Sequence, residues 1–482
     1  MKALKGLVLI GIAISGALTA SVPGVNYTEQ PMDTGVTREY WLELTDMIVA
    51  PDGVPRRAMA VNGSIPGPTL FADWGDTLKV HVTNKLTTSL NGTSIHFHGI
   101  RQNYTSSADG VTSITQCPLA VGQSTTYTWK ALQYGSTWYH SHFGLQAWEG
   151  VFGGIIINGP ATANYDEDLG VTFLNDWDHE TADAMYPAAQ HGAPTLDNGL
   201  INGTNVYGAD GSSSQTGSRF NVRFQAGTSY RLRLVNAAID THFKFSIDDH
   251  TIKVIASDLV PIQPYETTVL NIGMGQRYDI IITADQARKA ENFWMRAIPQ
   301  VACSLNSNPD NIKGIVYYGR RPRTPSTIGY DFVDSCDDET DIIVPYISKV
   351  VSPAKWNKLE VATGAANSAG LFRWLLNSTT MVVDWRKPTL QAVIDDNVNY
   401  AAQEAIIELD EANKWVYFML ETTFPAAHPI HLHEGFALQF IERKSEIAAT
   451  VSRSEEERLN KICKGWDKFQ NALGIVQDDS GV

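Results

Sequence analysis

One strand-like segment recurs three times at wide intervals along this 482-residue chain, and that recurrence limits the folds open to it. Gly75-Asp76-Thr77-Leu78-Lys79-Val80-His81-Val82-Thr83-Asn84 resembles Gly227-Thr228-Ser229-Tyr230-Arg231-Leu232-Arg233-Leu234-Val235-Asn236, and a related strand runs from Lys414 to Leu420. His96-Phe97-His98, His242-Phe243-Lys244 and His431-Leu432-His433 follow the three segments in turn. Self-similarity of this kind points to three copies of one structural unit. Apolar and polar residues alternate over short runs, as in Thr77 to Val82 and Tyr230 to Val235, between Gly, Pro and Asn punctuation, which predicts β-sandwiches. The expected fold is all-β with three sandwiches, and the one helix expected is short, at Ser454 to Ile462. The length agrees, since about 150 residues per domain gives about three domains.

Charge and the chain ends narrow the setting. Lys2 and Lys5 precede an apolar run from Gly6 to Ala20 that closes on small residues, the form of a secretory signal peptide over residues 1–20. The run is short for a membrane span of about 20 residues, so a secreted, extracellular protein with no membrane association is expected. Sequons at Asn26, Asn62, Asn91, Asn103, Asn202 and Asn377 are compatible with glycosylation in that compartment. Acidic side chains outnumber basic ones 52 to 37, and a net charge of −15 argues against nucleic acid as a partner. Cys117, Cys303, Cys336 and Cys463 are too few and too dispersed for a disulfide-dense miniprotein or a C-x-x-C site. Their even number predicts two bridges, with three pairings open. The acidic stretch Asp334 to Asp341 reads as a solvated linker between the second and third copies.

Histidine placement carries the chemistry. Six of the 12 histidines fall in three His-x-His pairs, His96/His98, His140/His142 and His431/His433, where random placement gives about 0.3 pair. On a strand, residues i and i+2 face the same side roughly 7 Å apart, so each pair can flank a metal cluster. With His428 they make seven candidate ligands, more than the three a catalytic zinc typically takes. Neutral imidazoles without a cysteine pair suit copper better than calcium or magnesium, and their number suits more than one ion. The second copy has Phe293-Trp294-Met295-Arg296 where the first has His140 and His142, so only the outer copies are expected to hold metal.

The motifs His96-Phe97-His98-Gly99, Trp138-Tyr139-His140-Ser141-His142 and His428-Pro429-Ile430-His431-Leu432-His433 resemble three of the four signatures of multicopper oxidases, most closely laccases of ascomycete fungal type. The resemblance covers nearly all of the chain after the signal segment and includes the tail Asp479-Ser480-Gly481-Val482. It implies three cupredoxin-like Greek-key domains, over 34–160, 161–333 and 342–445, followed by a tail over 446–482. By the same resemblance His96 and His431 hold a type 2 copper, His98 and His140 one type 3 copper, His142 and His433 the other, and His428 a type 1 copper. It also implies disulfides Cys117–Cys463 and Cys303–Cys336, and a proton-accepting carboxylate at Asp197 in Thr195-Leu196-Asp197-Asn198-Gly199. The implied activity is one-electron oxidation of phenols or aryl amines with reduction of O₂ to water, by a monomer.

The fourth signature, with a cysteine between two histidines, is absent, and no histidine follows His433. In the first copy a loop, a strand and the second histidine pair separate His98 from Glu149-Gly150-Val151-Phe152, whereas in the third His433 abuts Glu434-Gly435-Phe436-Ala437. The expectation is an internal deletion near 433/434, an incomplete third domain, a missing type 1 copper and impaired turnover. Two readings stand beside it: a donor of another kind, ferrous iron or ascorbate, and a copper-binding pseudoenzyme.

Overall fold

The computed structural model describes residues 31, 33–89, 91–339, 341–350, 355–357, 361–366, 370–376, 378–396, 399–409, 416–418, 421–422, 439–442 and 444–474. The first copy is two four-stranded sheets. One has the order Arg56–Val61, Thr37–Val49, Thr77–Asn84, Ser124–Lys130; the other, Gly67–Asp73, Phe152–Asn158, Gly135–His140, His96–Phe97. Alternation works as the sequence predicts: Leu78, Val80 and Val82 are wholly buried, while Lys79 turns outward to Glu39. The inward residues of both sheets share one core with Leu42, Leu44, Leu70 and Ile155. Each such burial contributes about 1.5–3 kcal/mol before the ordering entropy is counted.

The second copy pairs a six-stranded sheet with a five-stranded one. Their orders are Asn198–Ile201, Glu167–Trp177, Ser229–Asn236, Arg277–Thr283, Ile252–Ser257, Val260–Thr267, and Asn221–Arg223, Lys313–Tyr317, Asn292–Pro299, Phe243–Ile247, Leu270–Ile272. The repeated segment takes the same place throughout. Thr77–Asn84 pairs in parallel with Thr37–Val49, Ser229–Asn236 with Glu167–Trp177, and Val416–Phe418 with Lys355–Asn357. A second parallel pair recurs as well: Gly67–Asp73 with Phe152–Asn158, Asn221–Arg223 with Lys313–Tyr317, and Ile406–Leu409 with Gln439–Glu442. Parallel neighbours require crossover connections, which rules out simple meanders. Residues 85–151 connect these two features in the first copy and 237–312 in the second, but only 419–438 in the third.

A buried ionic network joins the first two copies. Asp279 accepts hydrogen bonds from Arg231 and from Ser136, which lies on the strand that ends at His140. Arg233 lies 3.6 Å from Asp279, donates to Ser136 and holds Asp168 through Nε and Nη2.

Two expectations change. The helix expected from Ser454 to Ile462 runs from Arg453 to Leu473. Ser452 and Glu455 cap it reciprocally at the start, and Gly474, at φ 64°, ends it in the left-handed conformation that glycine adopts without strain. Leu459, Ile462 and Trp466 recur at helical spacing and are buried against the first copy, to which Cys463 is bonded through Cys117. The acidic stretch is strapped to the second copy rather than merely solvated. Cys336 is bonded to Cys303, Asp338 accepts from Gln276, and Glu339 accepts from Tyr265 and Asn271. Both disulfides thus pair as the resemblance implies. Among the described residues no helix is long and apolar enough to cross a membrane.

Candidate metal centre

Two short strands bring the first two histidine pairs together. His96–Phe97 lies antiparallel to Gly135–His140 at the sheet edge, with His96 directly opposite His140 and Phe97 opposite Tyr139. His98 and His142 lie just beyond the strand ends, so strict alternation does not govern the second member of either pair. The rings are closer than the roughly 7 Å expected of strand neighbours: centroids are 5.9 Å apart for His96 and His98 and 6.0 Å for His140 and His142. Across the pairs His96 is 5.3 Å from His140 and 5.6 Å from His142.

Ligand atoms of His96, His98 and His140 all lie within 4.8 Å of one another, and the three residues are buried. His96 Nδ1 is 2.8 Å from the Asp109 carbonyl oxygen and His140 Nδ1 is 3.0 Å from that of Ser141, so each ring presents Nε2 to the group. His98 instead presents Nδ1, 3.2 Å from His140 Nε2. Three buried imidazoles, two of them with the outer nitrogen engaged on a carbonyl, suit copper or zinc, and no carboxylate belongs to the group. The donor set fits copper.

The surrounding polar groups set the ring positions. Gly110, at φ 79°, turns the chain so that Asp109 reaches His96, and a Cβ there would collide with the Ile95 carbonyl. Gln146 accepts from Ser141 (2.7 Å) and Thr93 (2.5 Å) and donates to the Gly92 carbonyl, bracing the loop that carries His142. The Trp138 ring lies 4.2 Å from that of His140 and 5.2 Å from that of His98, closing one side. Asp109 and Gln146 were not singled out from the sequence, and Trp138 figures there only as the first residue of the motif that carries His140 and His142. Only the Asp-Gly turn at 109–110 and the aromatic preceding His140 hint at them. His428, His431 and His433 lie outside the described residues, as do residues 1–30, the 433/434 junction and the tail from 475.

Asp197 stands apart from the histidine group, in the link between Thr195–Leu196 and Asn198–Ile201. Its side chain is 32% exposed, and its Oδ2 lies 2.9 Å from His179 Nδ1. Its backbone N–H donates to Asp178 (3.2 Å). Nearby, a cavity of about 60 Å³ is lined by Trp177, Asp178, Met185, Tyr186, Leu196 and Ile239.

Residues 43–162 and 168–320 match the multicopper oxidase family. The chain is 38% identical to Laccase-2 of Botryotinia fuckeliana, over 95% of its own length and 90% of that protein's, and 44% identical to Laccase-3 of the same organism, over 76% and 84%. The crystal structure of a laccase from Botrytis aclada is similar with a TM-score of 0.87 at 36% identity, covering 95% of this chain and 96% of that one. Its sandwiches are accordingly cupredoxin-like. Buried imidazoles on paired strand ends, this fold and these similarities together show that the chain belongs to the multicopper oxidase family, as a laccase-like oxidoreductase of copper.

Proposed function

We propose that this chain is an exported, monomeric laccase-like protein, of a lineage that oxidises phenols and aryl amines and reduces O₂ to water, and that as it stands it binds copper without efficient turnover. The observation that carries the second half is the state of the cysteines. All four are consumed in two disulfides, so no thiolate remains to ligate copper. An absent middle segment in the third domain, taken as 342–445, agrees with the short 419–438 connection. The alignment with Laccase-2 supports it too: its 534 positions exceed by about 76 the roughly 458 residues that 95% of 482 supplies.

His96, His98, His140 and His142 would hold copper from the first domain, joined by His431 and His433 from the third, with His428 left as a lone type 1 ligand. Copper, when bound, supplies the one-electron chemistry; the protein supplies position and protonation. Asp109 and Ser141 turn the His96 and His140 rings to present Nε2. Asp197, partly exposed beside a cavity, accepts the hydroxyl proton of a donor. Export follows from the charged and apolar segment over 1–20.

The test is to load the full chain with Cu(II) and record its optical and paramagnetic spectra. Nitrogen-ligated Cu(II) without the intense blue copper–thiolate band is expected, with turnover of a phenol, an aryl amine, Fe(II) and ascorbate no better than free Cu(II). A blue band or brisk phenol turnover overturns the proposal.

A further inference from the structure

Beyond the copper ligands, one unassigned group of side chains is organised around the carboxylate just discussed. His179 lies between two aspartates: its Nδ1 is 2.9 Å from Asp197 Oδ2 and its Nε2 is 2.8 Å from Asp52 Oδ2. Exposure falls along the line, from 32% at Asp197 through 18% at His179 to 0% at Asp52. Asp52 also accepts from Asn198 Nδ2 (3.0 Å) and from the Val54 N–H (3.2 Å). The edge of the Tyr207 ring meets His179 at 4.6 Å and sets its plane. Asp178 accepts from the backbone N–H groups of Asp197 and Glu180, which holds the segment 178–180 against the Asp197 strand link. The ionisable groups around the imidazole are therefore Asp52, Asp197, Asp178, Glu180 and Tyr207.

We infer that His179 acts as a proton relay between Asp197 and the buried Asp52. A neutral imidazole carries one N–H and donates to one of the two carboxylates at a time. When a proton arrives on Asp197 Oδ2, it passes to His179 Nδ1 while the Nε2 proton passes to Asp52 Oδ2. One O–H and one N–H bond break, one N–H and one O–H bond form, and no electron moves. The ring ends in the opposite tautomer, the proton is carried to the fully buried Asp52, and Asp197 is again able to accept. His179 is thus a positioning residue that restores Asp197. The inference rests on the reading of Asp197 as the acceptor of the donor's proton.

The test uses the full chain labelled with ¹⁵N-histidine, the His179 ring signals being identified by their loss in His179→Gln. A relay makes proton occupancy at the two nitrogens interdependent. Asp197→Asn is expected to shift the Nε2 signal, on the far side of the ring, as well as Nδ1, and Asp52→Asn to shift Nδ1 as well as Nε2. A static hydrogen-bonded support keeps the ring proton on one nitrogen throughout, so an unchanged tautomer in wild type, Asp197→Asn and Asp52→Asn overturns the relay. Should Asp52→Asn fail to fold, the Nε2 response to Asp197→Asn decides alone. A second arm adds 2-methoxyphenol. If both substitutions couple across the ring but saturating 2-methoxyphenol, whose hydroxyl must hydrogen-bond Asp197 before it can pass a proton, leaves the His179 signals unchanged, the relay stands and the reading of Asp197 as phenol acceptor falls.

Discussion

Replacing Asp279 by Ala tests the idea that charge, not apolar packing, secures the strand that carries His140 to the second domain. Asp279 is 2% exposed and Arg231 and Arg233 are almost equally buried, so neither guanidinium gains water in its place. At 3.6 Å and an effective dielectric near 20, the Arg233–Asp279 attraction alone is about 4–5 kcal/mol, against which the desolvation of both ions must be set. Removing one partner leaves Arg231 with Tyr165 as its remaining hydrogen-bond acceptor and uncompensated charge in the interior; about 3–5 kcal/mol of stability is expected to go. For a domain of this size that lowers the midpoint by about 10 °C, read by circular dichroism and tryptophan fluorescence together because several domains unfold. The pH dependence has a definite sign. Burial opposes the charge of Asp279, yet Arg231 and Arg233 hold its carboxyl below the usual carboxylate range. Its contribution is therefore complete at neutral pH and is lost as pH falls through the native value, so the gap between wild type and variant narrows in acid. Arg231→Met combined with Asp279→Leu should recover much of the loss, since an apolar pair of similar size removes both charges. A single-variant loss below about 1 kcal/mol, or a gap that widens in acid, would refute the reasoning.

Three other substitutions probe different parts of the structure. Gly110→Ala forces a side chain into a left-handed turn and onto the Ile95 carbonyl, so Cu(II) affinity measured by calorimetry should drop along with about 2 kcal/mol or more of stability. Trp466→Ala empties a site packed by Phe143, Trp385 and Phe469 and should cost about 3–5 kcal/mol in urea unfolding, with the C-terminal helix the first element to lose hydrogen-exchange protection. Burial, reinforced by Asp176, pushes the Asp240 carboxyl up to about 7, so its stabilising contribution is full in acid and lost as pH rises through that value. Asp240→Asn should accordingly gain on the wild type between pH 5 and 8, by on the order of 1–3 kcal/mol; equal stability profiles would contradict the assignment.

Periodicity made the sandwiches legible because Leu78, Val80 and Val82 can only be buried on one face. The histidine pairs were legible for the same reason, and their convergence follows from the pairing of His96 with His140. What surrounds them was not. Asp109 meets His96 through its backbone carbonyl at 2.8 Å and its carboxylate at 3.3 Å, across 13 positions that carry no local pattern, and the role of Gly110 depends on a φ angle that glycine permits but does not announce. His179 and Asp52 are 127 positions apart, and nothing local in Asp178-His179-Glu180 points to a buried partner across the fold. The C-terminal helix was read as too short because its many charges obscured a stripe that continues through Trp466 to Gln470.

The Cys117–Cys463 bond encloses nearly three quarters of the polypeptide in a single covalent ring. A protease that nicks anywhere inside that ring opens it without shedding a fragment. On a non-reducing gel the cut protein should migrate as one species, and only a reductant should release the pieces. This clasp keeps even a severed C-terminal portion beside the histidines of the first domain.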